Sequence, residues 1–135
     1  MSGERYPVLW IGQVAVVTLP VEIDVTNADA TREELLAVLN QGAAMLVADM
    51  SKTVFCDSSG VSALVRAFRH ATTSGAAIRL VVSTPAVQRV LSITGVDRLV
   101  DVYPSVAASL AGPKGQADPA RPDGATAKAD TDGGA

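Results

Sequence analysis

Apolar and polar positions along the chain form segments typical of strands that alternate with helices. Two runs rich in β-branched residues, separated by Gly12-Gln13, predict a β-hairpin over residues 8–19. The continuous apolar run at residues 43–50 is typical of a strand that is covered on both faces. A further strand is predicted over residues 77–82, and a short final strand over residues 99–102.

Helical periodicity fills the segments between these strands. The first helix is predicted over residues 28–40, with Thr26 or Asn27 as N-cap. The second, over residues 59–73, carries apolar residues at spacings of 3 and 4. This predicted stripe comprises Val61, Leu64, Val65, Phe68 and Thr72. A third helix begins at Thr84-Pro85 and stops at Gly95, and a short fourth helix covers residues 104–110.

The resulting order, β-β-α-β-α-β-α-β-α, predicts a single α/β domain with a mostly parallel, mixed sheet of about five strands and four helices. We place the domain at residues 1–111. Residues 112–135 contain no Val, Ile, Leu, Met or aromatic residue, so they are predicted to form a disordered tail. Right-handed crossovers bring strand-to-helix turns to one sheet edge, so the turns at Asp24, Asp57-Ser58 and Thr84 should lie near one another.

The composition and net charge of the chain restrict the kinds of partner and site that it can have. Of the 135 residues 48% are hydrophobic but only 4% aromatic, so the core must consist mainly of Val, Leu, Ile and Ala. The net charge of −3 and the lack of a basic cluster argue against nucleic-acid binding. One cysteine excludes an internal disulfide, and with one histidine it argues against a zinc site. No membrane-length apolar run and no signal-peptide pattern occur, so we expect a cytoplasmic protein without membrane insertion.

The segment whose residues are best suited to a chemical role is the turn Asp57-Ser58-Ser59-Gly60. It follows Val54-Phe55-Cys56, which reads as the end of a buried strand, and it opens the second helix. Free backbone N–H groups and the positive end of the helix dipole meet at such a position, which therefore accepts negative charge. Two interpretations remain open from the residues alone: a plain N-cap, or a serine, Ser58 or Ser59, that carries a phosphate.

Other chemistries are poorly supported. His70 lies on the same helix, roughly 15 Å or more from the serines, and the turn lacks the Gly-x-Ser-x-Gly pattern of a nucleophile elbow. Neither a Gly-x-x-x-x-Gly-Lys loop nor a Gly-x-Gly-x-x-Gly loop occurs, and no cofactor is predicted. Asp49 is better explained as a turn acceptor than as a partner of Asp57. Cys56 is expected to be a buried, unreactive thiol.

Several of these motifs together resemble a known family. Leu46-Val47-Ala48-Asp49-Met50-Ser51, followed by Val54-Phe55-Cys56-Asp57-Ser58-Ser59-Gly60 and Leu64, is similar to the signature of STAS domains, most closely of bacterial anti-sigma-factor antagonists. Glu22-Ile23-Asp24 and the segment 81–99 resemble further parts of the family. The resemblance covers about residues 7–110.

The resemblance implies a regulatory binding protein rather than an enzyme. It implies that Ser58 is phosphorylated by a partner anti-sigma factor that is also a serine kinase. The unphosphorylated form would bind the anti-sigma factor and release sigma, and a metal-dependent protein phosphatase would restore it. The residues implied in partner binding are Asp24, Asp57, Ser58, Ser59, Gly60 and Val61.

Two departures from the family pattern bear on this implication. Pro20-Val21 replaces the usual glycine before Glu22, and Ser62 stands where a second glycine is common. An alternative within the family is an interaction module of another complex, such as a stressosome-like assembly, a lipid-transport component or a nucleotide sensor. From a different class, a small serine hydrolase would require activity that depends on Ser58 and His70.

Overall fold

A computed structural model describes residues 6–111. They belong to two units, and the larger one, covering residues 6–105, contains every strand of the described chain. The strands are β1 (Val8–Ile11), β2 (Val14–Thr18), β3 (Glu22–Ile23), β4 (Met45–Met50), β5 (Phe55–Cys56), β6 (Ala77–Val82) and β7 (Asp101–Tyr103). The helices are α1 (Ala28–Asn40), α2 (Ser58–Ser74), α3 (Pro85–Thr94), α4 (Val96–Leu99) and, in the smaller unit, α5 (Val106–Leu110).

Five strands form the main sheet in the order β1-β2-β4-β6-β7. The β1–β2 hairpin is antiparallel and the other three pairs are parallel, which confirms the predicted α/β class and the mixed sheet. The central strand β4 is buried on both faces, as its continuous apolar run predicted: Leu46, Val47 and Ala48 are all 0% exposed. The core is built mainly from aliphatic side chains of β2, β4, β6, α1 and α2.

The three longer helices follow the periodicity closely. The predicted bounds of α1 are confirmed residue for residue, and α2 extends the prediction by one residue at each end. Gly75 and Gly95, which end α2 and α3, have φ values of 81° and 83°, the left-handed conformation that favours glycine. The prediction of the apolar stripe of α2 is wrong for Thr72, which is exposed. Ala67 and Ala71, which were not predicted, are buried.

Several short elements differ from the prediction. The described chain has five helices rather than four, because Val96–Leu99 forms the unpredicted α4, whose last residue was expected to begin the final strand. The last main-sheet strand is therefore Asp101–Tyr103. Val54-Phe55-Cys56 is not the end of a buried strand. Phe55 and Cys56 form a separate strand, β5, which pairs in parallel with the unpredicted β3 in a second, two-stranded sheet.

The predicted tail, residues 112–135, lies outside the described residues, and the 1–111 domain boundary stays a prediction. Among the described residues, none of the helices has the length and apolarity needed to cross a membrane.

Candidate functional site

The small β3–β5 sheet determines where the candidate residues lie. Its register pairs Ile23 with Cys56, and the Asp57 amide donates to the Ile23 carbonyl at 3.1 Å. Asp24 and Asp57 are the next residues of the two parallel strands, so they leave the sheet side by side. The structure thus brings together the first two of the three turns that were predicted to be neighbours.

Thr53 links the third turn, at Thr84, to the segment that precedes β3. Its side chain is fully buried and its hydroxyl donates to the Pro20 carbonyl at 2.7 Å. Its carbonyl accepts the Thr84 hydroxyl at 2.9 Å. Thr84 occupies the N-cap position of α3 as predicted, but its side chain makes this cross-link instead of capping the helix. The sequence gives no period or motif that singles out Thr53, because its partners are distant in the chain.

The Asp24 loop is held by a compact set of hydrogen bonds. The Asn27 side chain accepts from the Asp24 amide at 2.9 Å and donates to the Glu22 carbonyl at 2.8 Å. Thr26 donates to the Asp24 carboxylate through its hydroxyl and its amide. These two bonds, the hydroxyl's first, lower the pKa of the Asp24 carboxyl from its ordinary value of 3.8, since both favour the ionised form. Asp24 therefore contributes a fixed negative charge beside Asp57.

Asp57 is the N-cap of α2. Its Oδ1 accepts the amide protons of Ser59 at 2.9 Å and Gly60 at 3.1 Å. Ser58 is the first helical residue and is exposed, whereas Ser59 is half-buried. The cap interpretation of this turn is correct for Asp57, and it leaves the Ser58 hydroxyl on the surface for other chemistry.

Removal of the cap should weaken the helix start. We expect Asp57→Ala to lower the free energy of unfolding by about 1–2 kcal/mol, because two amide N–H groups lose their acceptor. Asp57→Asn is the matched control: it keeps an acceptor oxygen and should lose clearly less. Urea denaturation monitored by circular dichroism measures both variants. Equal losses in the two variants would show that the negative charge, rather than the cap, stabilises this turn.

Gly60 and Val61, which the family resemblance placed among partner-binding residues, are buried. A Cβ added to Gly60 would lie 2.6 Å from Cys56 Sγ and 2.8 Å from Ile23 Cγ2. The glycine therefore allows the first turn of α2 to pack directly on β3 and β5. Any contribution of Gly60 to binding must act through the position of the turn.

Cys56 is buried, as expected. Burial, with a smaller contribution from the nearby Asp57 charge, raises the pKa of the Cys56 thiol to about 11. The thiol is therefore protonated at neutral pH and is a poor nucleophile. Asp49 accepts from the Ser51 amide at 3.0 Å, in line with its interpretation as a turn acceptor.

His70 lies far from the serines. It is twelve residues beyond Ser58 on the same helix, about 18 Å along the axis. Its Nε2 lies 3.1 Å from Asn40 Oδ1, a contact between α2 and α1. Within residues 6–111, the histidine therefore lies too far along α2 to serve as a base for Ser58 or Ser59.

Exposed apolar side chains lie along the β3–β5 sheet, and sequence reasoning missed them as site residues. Val54 and Phe55 are 51% and 49% exposed, and Val21, whose carbonyl accepts the Val54 amide at 2.8 Å, is 55% exposed. Val25, next to Asp24, is 76% exposed. Phe55 also lines an apolar crevice of about 250 Å³ between β5 and α3. Exposed apolar residues that cluster in this way are typical of protein–protein contact surfaces.

The site therefore combines an exposed serine and its neighbouring Asp57 at the start of α2 with Asp24, all at the end of the two-stranded β3–β5 sheet of an α/β domain. The STAS domain profile matches residues 8–109, so the chain belongs to the STAS domain family. Comparison with curated proteins gives no sequence match.

Solved structures with the same fold include anti-sigma factor antagonists. One, from Mycobacterium paratuberculosis, is 28% identical with a TM-score of 0.72, over 78% of this chain and 89% of that one. One from Thermotoga maritima is 24% identical with a TM-score of 0.71, over 77% and 90%. SpoIIAA of Bacillus, in its unphosphorylated form, is 20% identical with a TM-score of 0.65, over 77% and 92%.

Proposed function

We propose that this protein is an anti-sigma-factor antagonist: it binds an anti-sigma factor that is also a serine kinase, and phosphorylation of Ser58 switches the binding off. The observation that carries the proposal is the position of Ser58, an exposed hydroxyl on the first residue of α2, next to Asp57. Membership of the STAS family and the similarity to an anti-sigma factor antagonist at 28% identity support it. The partner-binding residues we propose are Asp24, Asp57, Ser58 and Ser59, positioned by Gly60 and Val61.

The chemistry of the proposed switch is the transfer of a phosphoryl group to Ser58, which adds negative charge to the surface. The Ser58 Oγ attacks the γ-phosphorus of ATP held by the kinase, its proton passes to a base of the kinase, and the bond to the leaving ADP breaks. The product carries about −1.5 to −2 charge at pH 7 beside the carboxylates of Asp24 and Asp57. A hydrolytic phosphatase would reverse the step with water as the acceptor.

The same helix start explains why the fold tolerates both states. Negative charge at the N-terminus of a helix is favourable by about 0.3–1 kcal/mol, so a phosphate on Ser58 does not oppose folding. SpoIIAA, which shares the fold, occurs in an unphosphorylated and a phosphorylated form. The charge therefore acts on the partner rather than on the domain itself.

The exposed apolar residues along the β3–β5 sheet supply the rest of the proposed interface. Val21 and Val54 directly precede the two strands of the β3–β5 sheet, Phe55 lies in β5, and each of the three is about half exposed. A partner that covers them would also remove water from Ser58 and Asp57. Desolvation strengthens the effect of any charge added there, because repulsion is less screened in a closed interface.

Capture of the partner tests this proposal. We expect the full chain, tagged and retrieved from lysate of its source organism, to bring down an ATP-binding anti-sigma factor that then labels it from radioactive ATP. Ser58→Ala should abolish the label, and Ser59→Ala should retain it. Label that survives Ser58→Ala would contradict the site. Recovery of a membrane transport complex or a stressosome-like assembly would instead support the alternative role within the family.

A further inference from the structure

A second crevice, of about 260 Å³, lies between the N-terminal halves of α1 and α2. Both helices run back from the carboxyl edge of the parallel strands, so their N-termini lie at the same edge of the sheet. The crevice is lined by Ser59 but not by Ser58, and it is separate from the apolar crevice beside Phe55. The crevice is therefore a separate surface next to the proposed phosphorylation site at Ser58.

The polar groups that line this crevice are mainly hydrogen-bond donors. Ser59, Ser62 and Arg66 follow one another at spacings of 3 and 4 on α2, so they share one face of the helix. Arg32 approaches from α1, with its side chain only 26% exposed. Guanidinium groups have five N–H donors and no acceptor, and hydroxyls can donate as well.

The charge of the lining is positive. Arg32 is paired with Asp29, at 3.1 Å, and more loosely with Glu33, at 3.8 Å. Within residues 6–111, no carboxylate lies within ion-pair distance of Arg66. Two guanidiniums, those of Arg32 and Arg66, thus line the crevice together with one carboxylate, that of Asp29. The first amides of α2 are taken by Asp57, so side chains must provide the donors.

Size and chemistry together select the ligand class. The volume lies just below the range of about 300–1,000 Å³ that accommodates drug-sized molecules, which favours a small ligand. A phosphoryl group offers several acceptor oxygens and fits the planar fork of arginine in a bidentate pair. Ala28, Ala63 and the exposed Val25 provide apolar contact for a short carbon body.

We propose that this crevice binds a small phosphorylated molecule, with Arg66 as its principal phosphate-binding residue and Arg32, Ser59 and Ser62 as additional donors. Arg66 binds the phosphate because it is the lining guanidinium that does not already hold a carboxylate within the described chain. This crevice is present in the chain without a phosphate on Ser58, so the proposal does not depend on the function proposed for Ser58.

Titration of the full ¹⁵N-labelled chain with inorganic phosphate and with glycerol 3-phosphate, at constant ionic strength set by chloride, tests the site. We expect saturable amide shifts centred on Ser59, Ser62 and Arg66. Arg66→Gln should weaken binding of both probes by at least about tenfold. The matched control is Arg69→Gln, which removes the same charge from the same helix at an exposed position outside the lining and should stay within about twofold.

Two results would overturn the proposal: shifts that do not saturate with either probe, or equal weakening in the Arg66 and Arg69 variants, which would indicate attraction to net charge alone. Ser62→Ala provides a second variant that keeps every charge, and it should weaken binding modestly while changing the spectrum of the free protein only near residue 62. A failed Ser58 phosphorylation experiment would leave these outcomes unchanged.

Discussion

Replacement of Ser58 by aspartate should weaken binding of the anti-sigma factor by more than about a hundredfold, which corresponds to a loss of about 3–4 kcal/mol. A buried like-charge contact costs an interface several kcal/mol, and the new carboxylate would join those of Asp24 and Asp57. Isothermal titration with the captured partner measures the change. This expectation rests on the proposed function.

The matched control is Ser58→Asn, which has nearly the shape of the aspartate variant but no charge. It should bind far better than Ser58→Asp, and both variants should unfold at nearly the same urea concentration as the wild type. Ser58 is exposed at the start of α2, where an acidic side chain is favourable rather than destabilising. Equal binding by the asparagine and aspartate variants would contradict a switch based on charge.

Gly60→Ala should lower the free energy of unfolding by about 1–3 kcal/mol, the usual effect of an additional methyl group in a tightly packed site. The added Cβ would meet Cys56 Sγ and Ile23 Cγ2 at distances of 2.6 and 2.8 Å, below normal contact. Ile23 is 0% exposed and Cys56 only 3%, so neither side chain has free space to move into. Alanine's higher helix propensity, worth about 1 kcal/mol, offsets only part of the loss.

Urea denaturation provides the measurement, and two further variants sharpen it. Ser62→Ala changes an exposed residue two positions after Gly60 on α2, and it should leave the free energy of unfolding nearly unchanged or slightly higher. Combining Gly60→Ala with Cys56→Ala removes the closest clash, so the double variant should lose less than the sum of the two single variants. Wild-type stability in Gly60→Ala would show that α2 shifts freely on the β3–β5 sheet.

Long, periodic segments were predictable because their signals are local. Residues 28–40 repeat apolar positions at helical spacing, and Gly95, directly after the third periodic segment, marks a left-handed helix end. The β3–β5 sheet was missed because a two-residue strand has no period. Its pairing depends on hydrogen bonds between segments more than thirty residues apart. The same reason hid Thr53, whose partners Pro20 and Thr84 lie on either side of it in sequence at similar distances.

The sequence by itself determined that Asp57-Ser58-Ser59-Gly60 joins a strand to a helix and that the start of this helix accepts negative charge. Both conclusions could be drawn because helix capping and the helix dipole act over only a few residues. Only the tertiary structure decided which groups surround that turn. It placed Asp24 beside Asp57 through the register of Ile23 with Cys56, and it brought Arg32 of α1 to the same crevice as Arg66 of α2. These neighbours depend on packing between distant segments, which no local pattern encodes.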